Sequence, residues 1–149
     1  MFQRIVLAYN GSVEGKSALF ACAEIASFTR VETHLLAVAS NPAKLFMVDG
    51  MASGMPPDGS IEEQNSRTRA ILDEGLQQLQ QRGFSVQGHL LAGEPVDEIC
   101  RLAREVEADL IVVGHTRKAS FASRWWGGSV GKALLDHAPC SVYYAQTAT

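Results

Sequence analysis

Long apolar runs are missing from this chain. No stretch approaches the roughly 20 consecutive residues that a membrane-spanning helix needs, which excludes a helical membrane protein. Cysteine is sparse: Cys22, Cys100 and Cys140 stand far apart, with no CxxC pair. That spacing excludes a disulfide framework and a zinc ribbon, and each cysteine reads as a small core residue in a reducing compartment. A surplus of one charge is also lacking. Thirteen basic residues face 16 acidic ones, a net charge of -3. Such a balance offers nothing for nucleic acid or an anionic membrane to grip. Met1-Phe-Gln-Arg enters an apolar run directly, without a signal-peptide layout, so the expected compartment is the cytoplasm. No His/Cys/Asp cluster has metal-ligand spacing, and no spacing argues for a Ser-His-Asp arrangement. The reading therefore has no metal site and no catalytic residue. Internal repeats and low-complexity tracts are absent too.

What remains is the make-up of one ordinary globular domain, residues 1–149, with 46% hydrophobic and 19% charged residues. Arg4–Tyr9 is a short apolar run, read as a strand buried on both faces. Asn10-Gly11-Ser12 breaks it, with Ser12 as a helix N-cap. Ala18, Cys22 and Ile25 then mark one face of a helix running to about Thr29. Thr33–Val38 is the second strand. Asn41–Ser60 holds three prolines, several glycines and several methionines without a period, and reads as a mobile loop. Leu72, Leu76 and Leu79 mark a helix from about Ile61 to Arg82, stopped by Gly83. Phe84–Leu91 is the third strand. Pro95 opens the next helix, with Asp97 and Glu98 near its positive end and Ile99, Leu102, Ala103 and Val106 on its apolar face. Leu110–Val113, a helix through Val130, Ala133, Leu134 and His137, and Ser141–Ala145 complete the chain. Strands alternate with helices throughout, so the sheet should be parallel and covered on both faces.

In such sheets ligands bind beyond the carboxyl ends of the strands, where the strand order reverses. Two strand ends carry small residues: Asn10-Gly11-Ser12 and Gly114-His115-Thr116. Gly11-Ser-Val-Glu-Gly15-Lys16-Ser17 is a poor P-loop, because three residues separate its glycines where four are needed. Lys16 and Ser17 read more simply as first-turn helix residues. The second strand end is better placed. Gly114, the turn to Arg117, and Gly128-Ser129 ahead of a helix can turn backbone N–H groups and a hydroxyl toward a polyphosphate. The plain alternative is that Gly114 ends a strand and Ser129 caps a helix. His34 and His89 read as scaffold residues within strands. His137 sits near a helix C-terminus, where imidazole suits the dipole. His115 is the one histidine at the candidate site. Glu62-Glu63 and Asp73-Glu74 read as solvated helix faces.

Several motifs, in order, resemble the universal stress proteins: Ile5-Val-Leu-Ala-Tyr-Asn-Gly-Ser12, Gly93-x-Pro95-x-x-x-Ile99, Ala108-Asp109-Leu-Ile-Val-Val-Gly114, Gly128-Ser129-Val130 and His137-Ala-Pro-Cys140. The resemblance covers nearly the whole chain. It implies a five-stranded parallel α/β sheet of order 3-2-1-4-5, helices on both faces, of the adenine nucleotide α-hydrolase-like type. It further implies a homodimer through the last strand, Ser141–Ala145, and a stress-response role exercised through a protein partner that the sequence does not name. Many family members bind ATP through a Gly-x-x-Gly-x9-Gly-Ser/Thr loop, and others bind AMP, cyclic AMP or no nucleotide. Carried over by position, Val113, Gly114, His115, Gly128, Ser129 and Val130 would contact phosphate and ribose. Ala8, Tyr9, Asn10 and Val38 would line the adenine and ribose end. Magnesium would enter only with ATP.

Three departures stand out. Arg117 replaces the second glycine. Ten residues, not nine, separate it from Gly128. Asn10 replaces the usual aspartate. Arg117 either fills the phosphate channel or pairs its guanidinium with phosphate, and Asn10 keeps an acceptor and a donor for a hydroxyl or a base edge. Trp125-Trp126 reads as a packing or partner surface. Two other functions stay open: an interaction module of the same family that binds no nucleotide, and a slow ATPase, for which no carboxylate base is evident.

Overall fold

The computed structural model describes residues 2–11, 13–26, 30–39, 59–115 and 128–146. Five strands and four helices alternate: β1 Arg4–Ala8, α1 Val13–Ala26, β2 Glu32–Ala39, α2 Gly59–Gln81, β3 Val86–Ala92, α3 Pro95–Glu105, β4 Leu110–His115, α4 Gly128–His137 and β5 Ser141–Gln146. All pairings are parallel, in the order β3-β2-β1-β4-β5. Chain order reverses between β1 and β4, as the motifs imply.

Side-chain alternation divides the core into two layers. Ile5, Leu7, Tyr9, Leu35, Ala37, Leu110 and Val112 pack beneath α1 and α2, which contribute Ala18, Leu19, Cys22, Leu72 and Leu79. Val6, Ala8, Leu36, Val38, Ile111 and Val113 pack beneath α3 and α4, which contribute Val96, Ile99, Leu102, Ala103 and Leu134. The central strands are apolar on both faces because helices cover both. Cys22 and Cys100 are buried and Cys140 half-buried. Burial raises all three thiols, that of Cys22 to about 12, so they stay protonated core groups.

The elements differ from the sequence reading at their ends, for identifiable reasons. β3 starts at Val86, not Phe84, because Phe84 belongs to the stop of α2. Gly83 takes φ +86° and its amide donates to Gln80 O, while the Phe84 amide donates to Leu79 O. This pair of bonds is the Schellman arrangement, and it uses residues that look like strand by composition. α2 itself starts two residues early, at Gly59, so the expected loop is shorter at that end; its positions 41–58 lie outside the described residues, as do 27–29 after α1. β4 runs on through Gly114 and His115, expected to be turn, because β5 continues beside it: Gly114 pairs with Ala145 and His115 with Gln146.

Gly75 sets how closely α2 approaches the sheet. A Cβ there would lie 2.8 Å from Leu35 Cδ2 and 2.8 Å from Tyr9 Cδ1. Alanine gains up to about 1 kcal/mol of helix propensity at a glycine site, whereas overpacking costs about 1–3 kcal/mol. Packing wins. Gly75→Ala is expected to lower stability by about 1 kcal/mol, read from the urea midpoint. A raised midpoint would show that Leu35 and Tyr9 have room to yield.

Candidate functional site

The seam between β1 and β4 is where a site can form. Its lower end is tied by Asp109, which precedes β4. The Asp109 carboxylate accepts from the Gln3 amide (2.7 Å) and the Arg4 amide (3.0 Å), while the Asp109 amide donates to Arg4 O (3.0 Å). From there Ile5, Val6 and Leu7 pair with Leu110, Ile111 and Val112. The ladder stops at that point, yet β4 continues three residues further along β5. β1 turns off through Tyr9 and Asn10 to Gly11. Gly11 holds φ +77°, and a Cβ on it would come within 3.2 Å of Ile71 Cγ1. Glycine is therefore required there by backbone conformation and by the proximity of α2. The two strands thus part at the carboxyl edge, at the reversal of strand order, where open α/β sheets place ligands.

The structure brings the candidate residues to this edge in different ways. Ala8, Val38 and Val113 lie on the α3/α4 face and are 2%, 4% and 2% exposed. Tyr9 points to the opposite layer, beneath α2, and is 1% exposed. Burial, then the nearby Glu74 carboxylate, push its phenol up to about 12, and its amide donates to Leu36 O at 2.9 Å. Asn10 is half-buried at the turn, and Gly114 is buried within β4. His115 is the last residue of β4, and Gly128, Ser129 and Val130 are the first three of α4. As α4 joins two parallel strands, its N-terminus lies at the carboxyl edge, where the first amides of a helix are unpaired and favour an anion. Arg117, Thr116, Trp125 and Trp126 lie outside the described residues.

Some groups act differently from their sequence reading. Glu74 is half-buried and paired: Lys16 Nζ lies 3.5 Å from it, and Gln78 donates to it. Lys16 ties α1 to α2. His34 and His89, read as scaffold residues, bond to one another across β2 and β3. The role of Asp109 was also missed, because its partners are 105 and 106 positions away. Its only sequence signal was its place in a family motif. An open cleft of about 410 Å³ lies between α2 and β3, lined by Asn65, Ser66, Arg69, Leu90, Leu91 and Ala92. It stands at the sheet's outer edge, not at the seam. Among the described residues no helix is long and apolar enough to cross a membrane, and no group of three or more His, Cys, Asp or Glu could hold a metal.

The sheet order, the helices on both faces and the reversal at β1/β4 define the adenine nucleotide α-hydrolase-like fold. The model of the Universal stress protein family matches residues 1–145, and the chain belongs to that family. A relative, universal stress protein Sll1388 of Synechocystis, is 33% identical over 86 residues, which are 58% of this chain and 55% of that protein. The match thus spans about half of that relative's length. Among solved structures, the hypothetical protein MJ0577, subject of a structure-based assignment of biochemical function, superposes with TM-score 0.79 at 17% identity, covering 100% of this chain and 99% of that one. A universal stress protein from Archaeoglobus fulgidus in complex with dAMP gives 0.67 at 26% identity, covering 95% and 96%. A universal stress protein in complex with cAMP gives 0.70 at 22%, covering 99% and 98%.

The Asp109 tie makes a direct prediction. Asp109→Ala strands two amides and is expected to cost about 2 kcal/mol, whereas Asp109→Asn keeps a carbonyl acceptor and should cost about half as much. Urea unfolding of both variants measures this. Equal, negligible losses would mean that water replaces the carboxylate.

Proposed function

We propose that this chain binds an adenine nucleotide at the parting of β1 and β4. The observation that carries the reading is the early end of the β1–β4 ladder beside a strand that runs on to His115, with the start of α4 at the same edge. In this reading the amides of Gly114 and of the α4 N-terminus, with the Ser129 hydroxyl, hold phosphate. Val113, His115 and Val130 flank it. Ala8, Tyr9, Asn10 and Val38 line the base and ribose end, chiefly through backbone. Arg117 supplies charge where the family loop has glycine. The dAMP complex of the Archaeoglobus fulgidus relative supports the ligand class. Occupancy then changes the choice of protein partner in a stress response, within the cytoplasm.

Titration with ATP, AMP and cyclic AMP tests the site, with magnesium included for ATP alone. Saturable binding is expected for at least one, weakened about 10- to 150-fold by Ser129→Ala, the loss of one hydrogen bond to a charged group. No saturation at millimolar nucleotide removes the proposal and favours the interaction module without nucleotide. The Arg117 replacement and the ten-residue spacing already point that way. Turnover of ATP that falls in Ser129→Ala would instead support the slow ATPase.

We also propose a homodimer through β5. It is an edge strand with Tyr143 44% exposed, and Leu135 on the adjoining helix is exposed as well. Light scattering should give twice the chain mass for the native protein and a shift toward monomer for Tyr143→Arg. An unshifted mass for the variant would place any interface elsewhere.

A further inference from the structure

Glu32, His34 and His89 form a row across β2 and β3 on the face covered by α3. His34 is 2% exposed, so its ring must settle its polar atoms inside the protein. Its Nε2 lies 2.7 Å from Glu32 Oε1 and its Nδ1 lies 3.0 Å from His89 Nε2. The carboxylate can only accept, so His34 Nε2–H donates to it. In the neutral ring Nδ1 is then an acceptor, and His89 Nε2–H donates to it. Both neutral rings therefore carry hydrogen on Nε2.

The row can take one proton without losing a bond. The proton sits on His34 Nδ1, which now donates to His89 Nε2, while the His89 hydrogen moves to Nδ1. The imidazolium rests against Glu32. A second proton has no such place. It leaves two N–H groups facing each other across 3.0 Å, on two rings of like charge.

The surrounding charges fit this count. Glu32 is also 3.4 Å from Arg4 Nε, and Arg4 Nη1 reaches Glu107 at 3.2 Å, so its carboxylate is shared. The His34 hydrogen bond is the main cause that holds the Glu32 carboxyl below its ordinary value. Glu105, at the end of α3, favours a charged His89, but burial, then His34, outweigh it and hold His89 below the ordinary imidazole value. β3 is paired on one side only, by β2, so its detachment breaks a single ladder.

We propose that Glu32, His34 and His89 are a proton-counting latch: with one proton or none the row holds edge strand β3 against β2, and a second proton releases it. The sign follows from linkage. An imidazole in an unfolded chain titrates near about 6.5. The folded row takes its second proton only at lower pH. Its contribution to stability is present above about 6.5 and is lost as pH falls below it.

His89→Gln tests the latch, since its amide can still donate to His34 Nδ1 but cannot take the second proton. Urea unfolding from pH 7.5 to 5 should show the wild-type folding constant falling more steeply than the variant's. The difference approaches tenfold per pH unit, the linkage of one proton. Amide protection over Val86–Ala92 should fall at least about tenfold more than over Ile5–Leu7 in the wild type, and not in the variant. Equal pH slopes, or equal loss in both strands, would overturn the latch. Should the variant fail to fold, ¹⁵N imidazole shifts of the wild type decide. A shared first proton and a separate, lower second step support the latch, and two independent titrations refute it.

Discussion

The fold depends on one seam. Strands β3, β2 and β1 form one half of the sheet, β4 and β5 the other, and they join through three paired positions and the Asp109 carboxylate. α1 reinforces the seam from one side: its buried residues share a layer with Leu110 and Val112 of β4 and Ala145 of β5. Asp109 fixes the register at the amino end of the seam. Gly11 ends it at the carboxyl end by turning β1 away under Ile71. The parting of β1 and β4 at that edge is therefore a product of the same geometry that holds the halves together.

On the proposed reading, this arrangement decides which part of the chain faces the nucleotide. Ala8, Val38 and Val113 are consumed by the core and Tyr9 by the opposite layer, so the strand ends present mainly peptide groups. Recognition through amides depends on backbone course more than on side-chain identity. On the proposed reading, Asn10 in place of aspartate is then a modest change. Arg117 in place of glycine is the larger one, because it introduces charge and bulk together.

Much of the fold was legible in the residues. The buried runs Ile5–Ala8 and Leu110–Val113, and the helical spacing of Ala18, Cys22, Ile99 and Leu102, follow from a sheet covered on both faces. What escaped depends on contacts between distant segments. Phe84 was absorbed by the stop of α2, and Gly114–His115 were drawn into β4 by the length of β5. Lys16 with Glu74, and His34 with His89, meet only once helix packing and strand register are set. The candidate site was legible as two strand ends and a helix start. The register of its seam was not, since nothing local to Asp109 points to Gln3 and Arg4.

The seam also bears on how the molecule assembles during synthesis. β1 leaves the ribosome about a hundred residues before its β4 partner. Until then β1 is a temporary border, apolar on both faces, with an unfilled row of peptide groups along one side. The nascent chain must shield that border, through α1 or through a chaperone, until β4 emerges. Mutations that slow β4 docking would therefore show first as poor yield, before any loss in the purified protein's stability.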